Sequence, residues 1–111
     1  MVKISTRRIE TTTILDISGD IDLAHSGELR RAVLVEFREN RTPKVILNLQ
    51  QVNYIDSSGV ASLVEGLKAS RDVGARFILF GLSPIAYEVL QLSKLLKVFE
   101  IYDTEVLALQ A

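Results

Sequence analysis

Asp56-Ser57-Ser58-Gly59 is the densest group of chemistry-bearing residues in the chain. It directly precedes a segment in which Val60, Leu63, Val64 and Leu67 fall on one face at helical spacing. Asp and Ser are favoured helix N-caps, because their oxygens accept from the free N–H groups of the first turn. One cap needs one such residue, and here there are three. A phosphate on Ser57 would sit at a helix N-terminus, where free N–H groups and the macrodipole favour negative charge. It would change the local charge by about −1.5 to −2 units. Gly59 lies in the first turn, where Gly costs about 1 kcal/mol relative to Ala. The missing side chain would let a partner's backbone come close.

Two further loops carry polar residues of the same kind, Gly19-Asp20-Ile21-Asp22 and Gly81-Leu82-Ser83-Pro84. Each stands between a β-like and a helix-like segment. In an open α/β sheet, ligands gather beyond the carboxyl ends of parallel strands. Parallel strands would therefore bring Asp20, Asp22, Asp56, Ser57 and Ser83 into one neighbourhood. Three chemistries suit such a cluster. The first is a partner-binding surface modified at Ser57. The second is an aspartyl-phosphate on Asp56 with Mg²⁺ held by Asp20 and Asp22, as in receiver domains, although the acids of the first loop are not adjacent. The third is a Ser57 nucleophile paired with His25, the single imidazole, but no G-x-S-x-G surrounds it. Nor is there a G-x-x-x-x-G-K-[ST] or G-x-G-x-x-G phosphate loop. No metal and no cofactor are expected.

Composition narrows the field further. The 111 residues include 13 Lys and Arg, 14 Asp and Glu, one His, no Cys and no Trp. Without cysteine there is no disulfide scaffold, thiol catalysis or Zn–thiolate site. A net charge of −1 gives no overall field for nucleic acid, so no nucleic-acid partner is expected. The longest apolar stretches, such as Ala32–Val35 and Phe77–Phe80, are far short of the ~20 residues of a membrane span. No export signal opens the sequence, so a cytoplasmic location is expected. The length suits one domain, residues 1–111.

The elements that must position these residues alternate. Val2–Arg8 and Thr12–Ser18 are rich in β-branched residues and read as a hairpin. From about His25 to Asn40, Leu29, Ala32, Val33 and Phe37 form one helical face, ended by Pro43. Val45–Leu49 reads as a strand, and the helix after Asp56 ends near Gly74. Arg76–Phe80 reads as a strand buried on both faces. Pro84 opens a third helix with Ile85, Val89 and Leu92 as its apolar face. Val98–Tyr102 is a short strand, and Asp103 caps a last helix through Val106, Leu107 and Leu109. Arg7-Arg8 and Arg30-Arg31 read as solvated faces. The order predicts an α/β fold with a mixed sheet of four to five strands, an N-terminal hairpin and the remainder largely parallel, with about four helices.

Gly19-Asp20-Ile21-Asp22, Val45-Ile-Leu-Asn-Leu49, Val52-Asn-Tyr-Ile-Asp-Ser-Ser-Gly59 and Ser83-Pro84 together resemble the anti-sigma factor antagonists, the stand-alone STAS-domain proteins of bacteria. The likeness covers essentially the whole chain. It implies a STAS-like fold and a partner switch. In that family the unphosphorylated protein binds an anti-sigma factor that is also a serine kinase, and so frees a sigma factor. Phosphorylation of the Ser after the motif Asp, here Ser57, inactivates it, and a PP2C-type phosphatase resets it. Asp20, Asp22, Asp56, Ser58, Gly59 and Ser83 are the implied partner-binding residues. Val60 replaces the Leu that often follows the motif Gly. STAS domains also serve as subunits of other signalling and transport complexes, and this alternative stays open. The oligomeric state is not legible.

Overall fold

Residues 2–111 are described by a computed structural model. The chain runs β1 (Lys3–Ile9), β2 (Thr12–Ser18), α1 (Ser26–Leu34), β3 (Lys44–Gln51), α2 (Ser57–Asp72), β4 (Arg76–Phe80), α3 (Pro84–Leu92), β5 (Glu100–Tyr102) and α4 (Glu105–Gln110). A π-helical turn, Val35–Glu39, extends α1. One five-stranded sheet has the order β1-β2-β3-β4-β5. β1 and β2 pair antiparallel across a tight turn at Glu10 and Thr11, and all other pairs are parallel. The expected mixed sheet and helix count are both present.

The parallel order follows from the sequence pattern. β2, β3 and β4 are buried on both faces over Ile14–Leu15, Val45–Leu47 and Phe77–Phe80. Strands covered on both sides read as continuous apolar runs, and such sheets need helices on their faces. The main core lies on one face, where Leu15, Leu47 and Leu79 meet Leu29, Val33 and Phe37 of the first helix, Val60 and Leu63 of α2, and Leu90 of α3. A separate apolar cluster occupies the other face, with Ile14, Ile46, Ile78 and Phe80 under Ala108 of α4.

Four expectations need correction. Ala86 and Leu90 of α3 are buried and Val89 is partly buried against the core as expected, whereas Ile85 is 52% and Leu92 75% exposed. Apolar residues lie on more than one side of that helix, Ile85 and Leu92 as well as Ala86, Val89 and Leu90, and periodicity cannot choose between two apolar faces. The cap of α4 is Thr104, which accepts from Leu107 N at 3.3 Å, not Asp103, while Val106 and Leu107 face outward and Ala108 inward. Arg7 and Arg8 are not simply solvated. Arg7 is bidentate to Asp16, with contacts of 2.6 and 2.8 Å, and also reaches Glu105. Arg8 holds the buried Glu36 at 3.0 and 3.1 Å. Arg30 pairs with Glu65 between α1 and α2. β5 also begins two residues later than expected, at Glu100.

Candidate functional site

The carboxyl ends of β2, β3, β4 and β5 lie on one edge of the sheet, because these strands are mutually parallel. The loops that leave them are tied together by backbone hydrogen bonds. Gly19 N donates to Gln51 O at 3.2 Å, Ile21 N to Tyr54 O at 3.0 Å and Asp56 N to Ile21 O at 3.2 Å. Ile21 and Ile55 thereby form an isolated parallel bridge beyond the strands. Ser83 Oγ donates to Asn53 O at 3.3 Å, and Gly81 N to Tyr102 O at 3.2 Å. All four loops are thus held in one surface.

Within it the Asp-Ser-Ser-Gly group divides its labour. Asp56 is the N-cap of α2: its Oδ1 accepts from Ser58 N at 2.9 Å, Gly59 N at 3.1 Å and Ser58 Oγ at 2.5 Å. Its Oδ2 accepts from Leu23 N at 3.1 Å, which fixes the β2–α1 loop. The Ser58 hydroxyl, followed by these N–H donors, holds the Asp56 carboxyl below the usual carboxylate range. Ser58 is half-buried and its hydroxyl is spent on Asp56. Ser57 is exposed, and its hydroxyl makes no hydrogen bond to any described residue. Asp56 has already taken the N–H groups of Ser58 and Gly59, so a phosphate on Ser57 would rely on the helix dipole and on solvent.

The other expected residues fall as follows. Asp22 Oδ1 accepts from His25 N at 3.1 Å and stands 2.7 Å from His25 Nδ1, so both residues shape the entry to α1. Asp20 is exposed and forms no ion pair among the described residues. Ser83 caps α3 by accepting from Ala86 N at 3.1 Å. Gly59 is buried: a Cβ there would stand 2.5 Å from both Ile21 O and Ile55 Cγ1. The protein's own loops, rather than a partner's backbone, fill the space that Gly59 leaves. An acyl phosphate on Asp56 would have to break the bonds that start α2, and this weighs against the receiver-like reading.

Several residues of the edge escaped sequence reasoning. Leu23 (81%) and Tyr54 are exposed in the loops that leave β2 and β3, and Ile85 is exposed in the first turn of α3. Leu23 and Tyr54 lay in loops where periodicity gives no signal, and Ile85 had been placed in the core. Asp103 follows β5 onto the same edge. Residues 19–25, 52–56, 81–83 and 103–104 contain Asp20, Asp22, Asp56 and Asp103 but no Lys or Arg. These four loops present acidic and apolar side chains around the free Ser57 hydroxyl.

The STAS domain family model matches residues 3–108. The chain belongs to the STAS domain family. An anti-sigma F factor antagonist of Paenibacillus polymyxa is 27% identical over 96 residues, 86% of this chain and 82% of that one. The crystal structure of a Thermotoga maritima protein, assigned provisionally as an anti-sigma factor antagonist, superposes with a TM-score of 0.90 at 25% identity, covering 96% and 92% of the two chains. The Bacillus cell fate determinant SpoIIAA matches this STAS fold at a TM-score of 0.75 in its unphosphorylated form, at 20% identity over 97% and 96% of the chains. Its phosphorylated form matches at the same TM-score, at 22% identity over 97% of each chain.

Proposed function

We propose that this STAS protein is an anti-sigma factor antagonist that works by partner switching. Unphosphorylated, it binds an anti-sigma factor that is also a serine kinase and so releases a sigma factor. Phosphorylation of Ser57 inactivates it, and a PP2C-type phosphatase restores it. The chain itself is a substrate and binding module rather than an enzyme, and it acts in the cytoplasm. Asp20, Asp22, Asp56, Ser58, Gly59 and Ser83 build the docking edge, with Leu23, Tyr54 and Ile85 as its apolar contacts.

The observation that carries this reading is the free Ser57 hydroxyl. Asp56 and Ser58 are consumed by the cap, and the one exposed nucleophile of the group lies in a surface of acid and apolar side chains. A dianion placed there must be desolvated when a partner covers it, in a neighbourhood that already carries four aspartates. A penalty of about 2.7 kcal/mol weakens binding about 100-fold. No refolding is needed, and the equal match of this fold to both SpoIIAA forms supports an effect confined to the edge.

Calorimetric titration against the partner kinase tests the reading. Ser57→Ala is expected to bind like the unmodified protein and to take up no phosphate from the kinase and ATP. Ser57→Asp is expected to keep its melting temperature within a few degrees and to bind about 100-fold more weakly. Equal affinity of the two variants, or phosphate mapped to another residue, overturns it.

A further inference from the structure

The helix that covers the second face of the sheet is α4, with Tyr102 of β5 and Ala111 packed beside it, and this cover is slight. It spans six residues, Glu105–Gln110, far fewer than the ~12–15 at which an isolated helix becomes even marginal. Of its apolar side chains, Val106 and Leu107 are exposed, Leu109 is partly buried against the cluster, and Ala108 alone is fully buried. Beneath it lie Ile14, Ile46, Ile78 and Phe80, all fully buried and all from the central strands. None of the residues of the main core belongs to α4.

The fastenings are polar and peripheral. At its first turn, Glu105 takes a two-pronged contact from Arg7 on the edge strand β1, with Nη1–Oε2 at 3.2 Å and Nη2–Oε1 at 2.5 Å. Arg7 is itself anchored to Asp16 of β2, which Asn48 of β3 holds from the other side at 2.8 Å. At its last turn, Lys44 Nζ donates to Leu109 O at 3.0 Å and Ala111 O at 2.8 Å, closing carbonyls that a helix end leaves free. Side chains of Arg7 and Glu105 are 40% and 35% exposed, so this ion pair is open to water and to screening.

We propose that α4 is a releasable strap: it opens from the sheet as a unit, uncovering the apolar strip Ile14–Ile46–Ile78–Phe80, while the main core stays folded. The separation of the two apolar clusters permits this, and the two polar fastenings set how often it happens. Regions with few buried contacts open at free energies below that of global unfolding.

Amide hydrogen exchange of the full chain, read residue by residue with added urea, tests the proposal. Amides of Leu107, Ala108, Gln110 and Ala111 are expected to exchange at least tenfold faster than those of Ile46 and Ile78, with a weaker urea dependence. Glu105→Gln and Lys44→Met are each expected to speed the α4 amides about tenfold and leave Val33, Leu47 and Leu79 unchanged. Exchange of α4 with the same rate and urea dependence as the central strands overturns the strap. So does a uniform loss of protection in both variants.

Discussion

At the scale of the residue, one carboxylate settles what its neighbours can do. Asp56 captures the Ser58 hydroxyl and two N–H groups with a single oxygen, and so leaves Ser57 as the accessible serine. Ser58→Ala should therefore lower stability by about 1 kcal/mol, the ordinary value of one hydrogen bond, and leave phosphate uptake at Ser57 intact. Urea denaturation and phosphate mapping check the two halves separately. Gly59 answers to a stricter constraint. The Cβ of Gly59→Ala would meet the backbone oxygen of Ile21 at 2.5 Å, and backbone in a bridged loop cannot step aside as a flexible side chain does. That variant should lose about 1–3 kcal/mol, the usual range for overpacking, and its urea midpoint would show it. The Asp-Ser-Ser-Gly group was visible in the sequence as a cap with polar residues to spare. The resemblance points to Ser57 as the acceptor, but that the Ser58 hydroxyl is consumed by Asp56 Oδ1 is legible only in the folded cap.

At the scale of the element, strands and helix starts were legible and helix faces were less so. β2 and β4 occupy the bounds their β-branched and apolar runs indicate, and α3 begins at Pro84 because proline suits a first turn. The face of α3 differs from the expected one because apolar residues lie on more than one side of the helix: Ile85 and Leu92 are exposed, while Leu90, of the same size, packs. Ala86 and Leu90 are both buried in the main core. Leu90→Ala should consequently cost about 2–5 kcal/mol, as large-to-small core changes do. Leu92→Ser should change stability by less than about 0.5 kcal/mol, in keeping with a surface position. Ile85→Ser should also melt like the parent protein, yet bind the partner kinase more weakly, since its side chain stands on the acidic edge beside Ser83. Thermal melts and calorimetry on the three variants separate packing from docking. A loss of melting temperature for Ile85→Ser as large as that for Leu90→Ala would return Ile85 to the core.

At the scale of the whole molecule, a net charge of −1 conceals a segregated distribution. The four loops around Ser57 carry aspartates without a Lys or Arg, whereas basic residues such as Arg7, Arg8 and Arg30 lie away from them, paired to carboxylates. Those pairings make stability depend on acid in a definite direction. Arg7 holds the Asp16 carboxyl below its ordinary range. Glu36 is 5% exposed, and burial alone would raise its pKa; Arg8, Thr42 and Asn40 reverse this and hold it low. A group whose folded pKa is depressed lends stability that is complete above its unfolded value, about 3.9 for Asp and 4.3 for Glu. That stability is lost as pH falls through the depressed folded value. The melting temperature should thus be flat from neutrality down to about pH 5 and fall steadily below it. Glu36→Gln isolates the largest buried contributor. The amide cannot carry the charge that binds Arg8, so this variant should melt lower than the parent at pH 7. As pH falls below the unfolded Glu value, the parent progressively loses the contribution of the Glu36 charge, and the gap should narrow. Melts followed by circular dichroism across that range measure the gap directly. Two curves that stay parallel to pH 3 would show that Glu36 contributes nothing to the acid limb, leaving it to Asp16 and Asp56.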